Sequence, residues 1–279
     1  MDLIQAIIMG IVQGLSEFLP ISSSAHLVFT SNFYKVFKGI EIVESSNQEV
    51  FLDIMLHLGT LIAVLIFFRK EILEILKALY FGILKKEHDE NNFKIGKYII
   101  IGTVITVLVA FPIKDFAEWL VFKPVIVGIL LIFTGLLLLF SEFYSKKITD
   151  KKELNLKSAL LIAFAQGIAA LPGFSRSGLT IATGLLHGMD RVTAARYSFL
   201  LSIPIILGAS MCYPALTLDY SEVIKYDWTA IVVGTVVSAI VGYLCIKYFI
   251  KFVSKFSLSV FGWYCLITGI ATAIFFSVV

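Results

Sequence analysis

The 279-residue sequence predicts an all-α polytopic membrane protein: six transmembrane helices, two re-entrant helix–break–helix hairpins, and two halves related as an inverted-topology repeat. Three observations predict it. Apolar residues make up 58% of the chain and charged residues 15%, with a mean hydropathy of +0.92. Soluble domains carry about 45–50% and about 25%. Six apolar runs approach the roughly 20 residues that a bilayer crossing needs. Two further apolar runs are interrupted midway by proline and hydroxyl residues. This composition argues against a soluble single-core enzyme, a disordered chain and a disulfide scaffold. The net charge of +3 is spread over short loops rather than one basic face, so the expected partner is the lipid bilayer and no nucleic acid. Cys212, Cys245 and Cys265 lie in or beside apolar runs without CxxC spacing and read as packing residues. No removable leader is expected, because Met1-Asp2 lacks a basic n-region and the first apolar stretch holds Gln13 and Glu17.

In chain order the elements are hairpin 3–33, spans near 51–68, 95–111 and 125–140, hairpin 158–189, and spans near 197–213, 228–246 and 258–276. They form one integral membrane domain of two halves, 1–150 and 151–279. Arg69, Lys70, Lys146, Lys147, Lys151, Lys152, Lys247 and Lys251 fall in one set of loops, which the positive-inside rule places in the cytoplasm. The other set is poorer in Lys and holds Glu41, Glu44, Asp219 and Asp227. Six alternating crossings satisfy this bias only if the two broken runs do not cross. Their breaks fall at Pro20 and at Pro172-Gly173, and neither half is long enough to span. Non-helical backbone at membrane depth requires protein or a wet cavity around it. The hairpins also match each other: Gln13-Gly14 aligns with Gln166-Gly167 and Pro20 with Pro172. An odd number of spans per half inverts the second copy, so the broken tips are expected to meet near the midplane. Residues 69–97, partly amphipathic, are expected along the cytoplasmic interface.

Charges inside apolar segments cost roughly 2.5–3.5 kcal/mol at a helix centre. Here they concentrate at the two breaks. Gln13 and Glu17, four apart, share a helical stripe and could hold a divalent cation or position a water; alternatively Glu17 only pairs with Arg176. One of Ser22, Ser23 and Ser24 is expected to cap the helix that restarts after Pro20. Ser23 and His26, three apart, could form a nucleophile and its base, or His26 itself could attack phosphorus. In PGFSRSGLT a helix starts just after Gly173. Its free N–H groups with the hydroxyls of Ser175, Ser177 and Thr180 make an anion cradle, and Arg176 adds a fork for two phosphate oxygens. Asp53 and His57 could line the cavity but read first as helix-interface packing. His187 and Asp190-Arg191 mark the cytoplasmic end of the second hairpin.

QGLSEFLPISSSAH (13–26) and PGFSRSGLT (172–180) resemble the two signatures of the undecaprenyl pyrophosphate phosphatases of the bacitracin-resistance type, and the resemblance covers nearly the whole chain. It implies a hydrolase that removes the terminal phosphate of C55 polyprenyl pyrophosphate, recycles the lipid carrier for peptidoglycan, and confers bacitracin resistance. It also implies Mg²⁺ or Ca²⁺ as cofactor and a bacterial inner-membrane location with the site open to the extracytoplasmic side. By position, Glu17, Ser23, His26 and Arg176 match the catalytic residues, and Ser175, Arg176, Ser177 and Thr180 the phosphate-binding motif. Gln13, Ser22 and Gly173 support them. Gln13 and Glu17 match the metal position, though Gln13 stands where Glu is common. The partner set is the lipid substrate and the bilayer, with a homodimer left open. The alternative is a transporter or flippase of an anionic polyprenyl substrate, since inverted repeats with broken helices recur in transporters.

Overall fold

The structure, a computed structural model, describes residues 3–39, 47–217 (backbone alone at 212–217), 223 and 225–278. Glu41, Glu44 and Asp219 of the charge argument, and the Cys212 side chain, lie outside the described residues. Among those described, all regular structure is helical. In order the helices are α1 (Leu3–Ser16), α2 (Ser23–Phe37), α3 (Asn47–Phe67), α4 (Arg69–Ile83), α5 (Glu90–Ala110), α6 (Lys114–Val121), α7 (Pro124–Ser145), α8 (Leu156–Ile168), α9 (Arg176–Leu186), α10 (Arg191–Thr217), α11 (Trp228–Val253) and α12 (Ser259–Val278). Six are long and apolar enough to cross a membrane: Asn47–Phe67, Glu90–Val121, Pro124–Ser145, Arg191–Met211, Trp228–Val253 and Ser259–Val278. They coincide with the six expected runs. The second continues through a 3₁₀ turn, Phe111–Ile113, into α6.

The helices of the two interrupted runs, α1, α2, α8 and α9, have 11 to 15 residues. At 1.5 Å per residue they are about 16–23 Å long, short of the roughly 30 Å hydrocarbon core. Each break has a local cause. Between α1 and α2 the chain turns through Ser22 at φ 70°, a left-handed conformation that a non-glycine residue adopts only when other contacts hold it. The Ser22 hydroxyl accepts from Ala25 N–H at 3.2 Å, so Ser22 is the N-cap of α2. Between α8 and α9, Gly173 sits at φ 104°, and a Cβ there would lie 2.5 Å from the Val127 carbonyl oxygen. Only glycine satisfies both the dihedral and the close approach to α7.

Lipid supplies no hydrophobic drive between helices, so contacts rely on small residues and close backbones. Along α7 and α12, Gly128 faces Gly269 and Gly135 faces Gly262; a Cβ on Gly135 would stand 2.7 Å from the Gly262 carbonyl oxygen. Along α1 and α11, Gly10 faces Gly234 in the same manner. Polar clasps finish the packing. Glu142, almost fully buried, accepts Arg191 Nε and Nη2 at 2.7 and 2.6 Å and the Leu258 N–H at 2.8 Å. That clasp joins α7, α10 and the start of α12 at the lysine-rich end, where the sequence placed Arg191. Removing one member of a buried pair leaves the other charge uncompensated, which costs about 3–5 kcal/mol. Glu142→Ala is therefore expected to lower the detergent melting temperature clearly, and Glu142→Gln, which keeps an acceptor, to lower it less.

Candidate active site

The two breaks touch each other. Ser177 Oγ donates to the Leu19 carbonyl at 2.9 Å, and beside that contact Phe18 packs edge-on against Phe199 of α10 with ring centroids 5.2 Å apart. The turn that carries Ser175 is fixed to α7: the Ser175 N–H donates to Thr134 Oγ1 at 3.1 Å. Ser175 Oγ then accepts from the Gly178 N–H at 3.0 Å and caps α9. These contacts are between rigid elements, so the side chains at the tips are held in place before any ligand arrives.

Glu17 is at the centre. Its backbone N–H continues the α1 ladder to the Gln13 carbonyl at 3.0 Å, one residue past the end of the helix. Its Oε1 receives Arg176 Nη2 at 2.8 Å; its Oε2 receives Ser23 Oγ at 2.6 Å and Gln13 Nε2 at 3.0 Å. His57 Nε2 lies 3.7 Å from the same Oε2. The carboxylate is 6% exposed and the guanidinium 16%, so the pair is partly desolvated yet reachable. Arg176 Nη1 has only a long contact, 3.4 Å, to the Ser198 carbonyl. That arm of the fork can turn to an anion.

Glu17, Ser23, Asp53, His57, Gln166 and Arg176 line one cavity of about 430 Å³. Val50, Ile54, Ile205 and Ile206 make its apolar wall. The cavity runs from the breaks towards the start of α3 and the C-terminal ends of α5 and α10, away from the Arg191–Glu142 clasp. An apolar channel with convergent polar groups at its base suits an amphiphile with an anionic head. A larger cleft, about 690 Å³, lies between α4, α5 and α10, but its charges are of both signs, with Arg196 already paired to Glu71 at 2.7 Å.

The structure brings Gln13, Glu17, Ser23 and Arg176 together. It separates others that the sequence grouped with them. The expected Ser23–His26 pair is not formed: His26 Nδ1 meets the Ser22 carbonyl at 2.8 Å and Nε2 meets the Tyr264 hydroxyl at 2.7 Å, with the rings stacked. Three residues on a helix share a side but span about 60° of arc, enough here to send Ser23 into the cavity and His26 towards α12. The hydroxyls of the second motif are engaged within the protein. Ser175 is used as a cap, Ser177 bonds Leu19, and Thr180 bonds the Arg176 carbonyl at 2.7 Å and Ser198 at 2.6 Å. All three are buried and absent from the cavity wall, which from that motif takes Phe174 and Arg176. Asp53 and His57, first read as interface packing, face it too. Their signal was in the sequence: two titratable groups four apart in an otherwise apolar run.

A divalent cation held by Gln13 and Glu17 would compete with bonds these side chains already make, although the buried Gln13 Oε1 has no hydrogen-bond partner among the described residues. Gln13 turns its N–H, a donor, to the carboxylate, and both Glu17 oxygens already accept. Among the described residues no three His, Cys, Asp or Glu side chains converge as a metal site would require.

Six helices able to cross a membrane, with a carboxylate, a hydroxyl and a guanidinium gathered on one apolar-walled cavity between them, define a multi-pass membrane protein. The model of the family described as "Bacitracin resistance protein BacA" matches residues 6–271. Relatives include the "Undecaprenyl-diphosphatase" of Methanosphaera stadtmanae (strain ATCC 43021 / DSM 3091 / JCM 11832 / MCB-3), 38% identical over 98% of both chains. The "Undecaprenyl-diphosphatase 1" of Pseudoalteromonas translucida (strain TAC 125) is 36% identical over 99% of both. The "Undecaprenyl-diphosphatase" of Methanobrevibacter smithii (strain ATCC 35061 / DSM 861 / OCM 144 / PS) is 40% identical over 97% of this chain and 96% of its own. The chain belongs to the BacA family.

Proposed function

We propose that this protein is an undecaprenyl-diphosphatase, a phosphoric anhydride hydrolase that converts polyprenyl pyrophosphate to the monophosphate and inorganic phosphate. The observation that carries this reading is the Ser23 hydroxyl aimed at Glu17 Oε2 at 2.6 Å, on the wall of a cavity that also presents Arg176. A pure anion carrier needs the guanidinium but has no use for a serine on a base. The prenyl chain lies along the apolar wall, and the diphosphate reaches the base of the cavity. Arg176 keeps one arm on Glu17 Oε1 and offers the other to the phosphate oxygens, a planar donor set matched to developing charge. Ser23 Oγ attacks the terminal phosphorus as its proton passes to Glu17 Oε2. The bond between that phosphorus and the bridging oxygen breaks, and the monophosphate leaves with the electron pair and takes the proton from Glu17. Phosphoserine 23 remains, and water then cleaves it.

A divalent cation, Mg²⁺ or Ca²⁺, would enter bound to the diphosphate, with Asp53, which lines the same cavity, as the carboxylate to meet it; it would supply charge neutralisation. Substrate-free protein is then expected to show only weak, non-saturating Mn²⁺ binding by electron paramagnetic resonance, and Gln13→Glu to tighten it. Stoichiometric binding by the unaltered chain would contradict this.

The halves are read as an inverted repeat with re-entrant hairpins. Several of the main helix contacts support this, because they map onto one another when the halves are exchanged: α1 packs on α11 as α8 packs on α5, α3 on α10, and α7 on α12. The cavity lies at the end opposite the lysine-rich loops, which supports an opening on the extracytoplasmic side of the cell (inner) membrane. Phosphate release from a C15 or C55 pyrophosphate by detergent-purified protein tests the function. Turnover is expected; intact substrate after prolonged incubation would leave transport as the reading.

A further inference from the structure

We infer that His57 and Glu17 together hold the water that cleaves phosphoserine 23, so that His57 is a catalytic residue of the second half-reaction. The inference rests on the phosphatase reading above and adds a residue to it. His57 lies in the middle of α3, and its Nδ1 is 2.7 Å from the Asp53 carbonyl oxygen. A carbonyl only accepts, so Nδ1 carries a proton, and in the neutral tautomer that this selects Nε2 is an acceptor. That acceptor faces a second one, Glu17 Oε2, at 3.7 Å. Two acceptors at that separation do not bond each other. A water oxygen about 2.8 Å from both would see them about 83° apart, and each O–H bond would bend only about 10° from linear, inside the preferred range. Both side chains line the cavity, so the lone pairs of such a water face the space where phosphorus is bound.

The order of events follows from the same oxygen. In the resting enzyme Oε2 already accepts from the Ser23 hydroxyl at 2.6 Å. Once Ser23 carries phosphorus it has no proton to donate, and Oε2 is released to accept from water beside the new ester. The water oxygen then attacks phosphorus, giving its proton to Glu17 Oε2 while His57 Nε2 holds its other O–H. The Ser23 Oγ–phosphorus bond breaks, Oγ keeps the electron pair and takes the proton from Glu17, and inorganic phosphate leaves. Glu17 thus serves as base twice, first for serine and then for water. His57 acts only in the second event. His26 cannot replace it, because both its ring nitrogens are engaged by Ser22 and Tyr264.

This separates the half-reactions. With a C15 pyrophosphate labelled at the terminal phosphate, His57→Ala is expected to release monophosphate in a first-turnover burst close to wild type. Steady-state phosphate release is expected to fall about a hundredfold, in the range of a lost acid–base or water-orienting contact. The protein is expected to carry label on Ser23, seen by intact mass. His57→Gln, whose carboxamide oxygen can accept the same O–H, is expected to recover to within about tenfold with little trapped phosphoserine. A melting curve of each variant in detergent, together with the burst amplitude, counts folded sites. Wild-type turnover by His57→Ala, or loss of burst and steady state by the same factor, would overturn the inference. If wild type released no phosphate at all, the phosphatase reading itself would fail. A wild type that turns over, an Arg176→Ala variant that does not, and a neutral His57→Ala would reject this inference alone.

Discussion

Arg176→Ala is expected to slow phosphate release at least about 10³-fold, the lower end of what an arginine contributes to phosphoryl transfer. Two losses combine. The diphosphate loses its only guanidinium in the cavity, and Glu17 loses the partner of Oε1 at 2.8 Å. With both groups mostly buried, the second loss also destabilises the fold by about 3–5 kcal/mol. Arg176→Lys separates the two. It keeps a positive charge near Glu17 and should restore much of the melting temperature. An ammonium is a point charge without the planar fork, so turnover should stay about 10²-fold down. Phosphate release and thermal melting, measured side by side, check both statements. An Arg176→Lys variant as active as wild type would mean that charge alone, not the fork, is what the substrate needs.

Ser23→Ala is expected to abolish turnover to a similar degree, about 10³-fold or more, with substrate affinity nearly unchanged. The hydroxyl contributes only when the new bond forms, so its removal lowers kcat rather than raising KM. Glu17 keeps Arg176 and Gln13 as donors, and the melting temperature should move little. No label should appear on the protein from terminally labelled substrate. Phosphate release within tenfold of wild type by Ser23→Ala would leave direct attack by water as the chemistry.

The two results bear on residues the sequence could group only by type. Glu17 and Arg176 were legible because a charge at membrane depth demands a partner, and each sat at a proline break. Ser23 and His26 looked equivalent from spacing, since a helical offset of three says that two side chains share a side, not that they share a neighbour. Tyr264, 238 positions along the chain, took His26. The hydroxyls of Ser175, Ser177 and Thr180 followed the same rule. Polar atoms packed against α7, the first break and α10 must find protein partners, and they were consumed there. His57 was undervalued because its role depends on the distance to a carboxylate on another helix.

By itself, the sequence determined the six apolar helices, the two breaks and the motifs that mark the family. Those follow from local rules: the length of an apolar run, the conformational limits of proline and glycine, and the cost of an isolated charge in hydrocarbon. The tertiary structure alone decided which side chains face the cavity, which imidazole stands beside Glu17, and which way Gln13 turns its N–H. Each of those turns on a rotation of a few tens of degrees about a helix axis or an ångström between helices. Helix-to-helix packing sets such quantities, and no pattern along one chain encodes them directly.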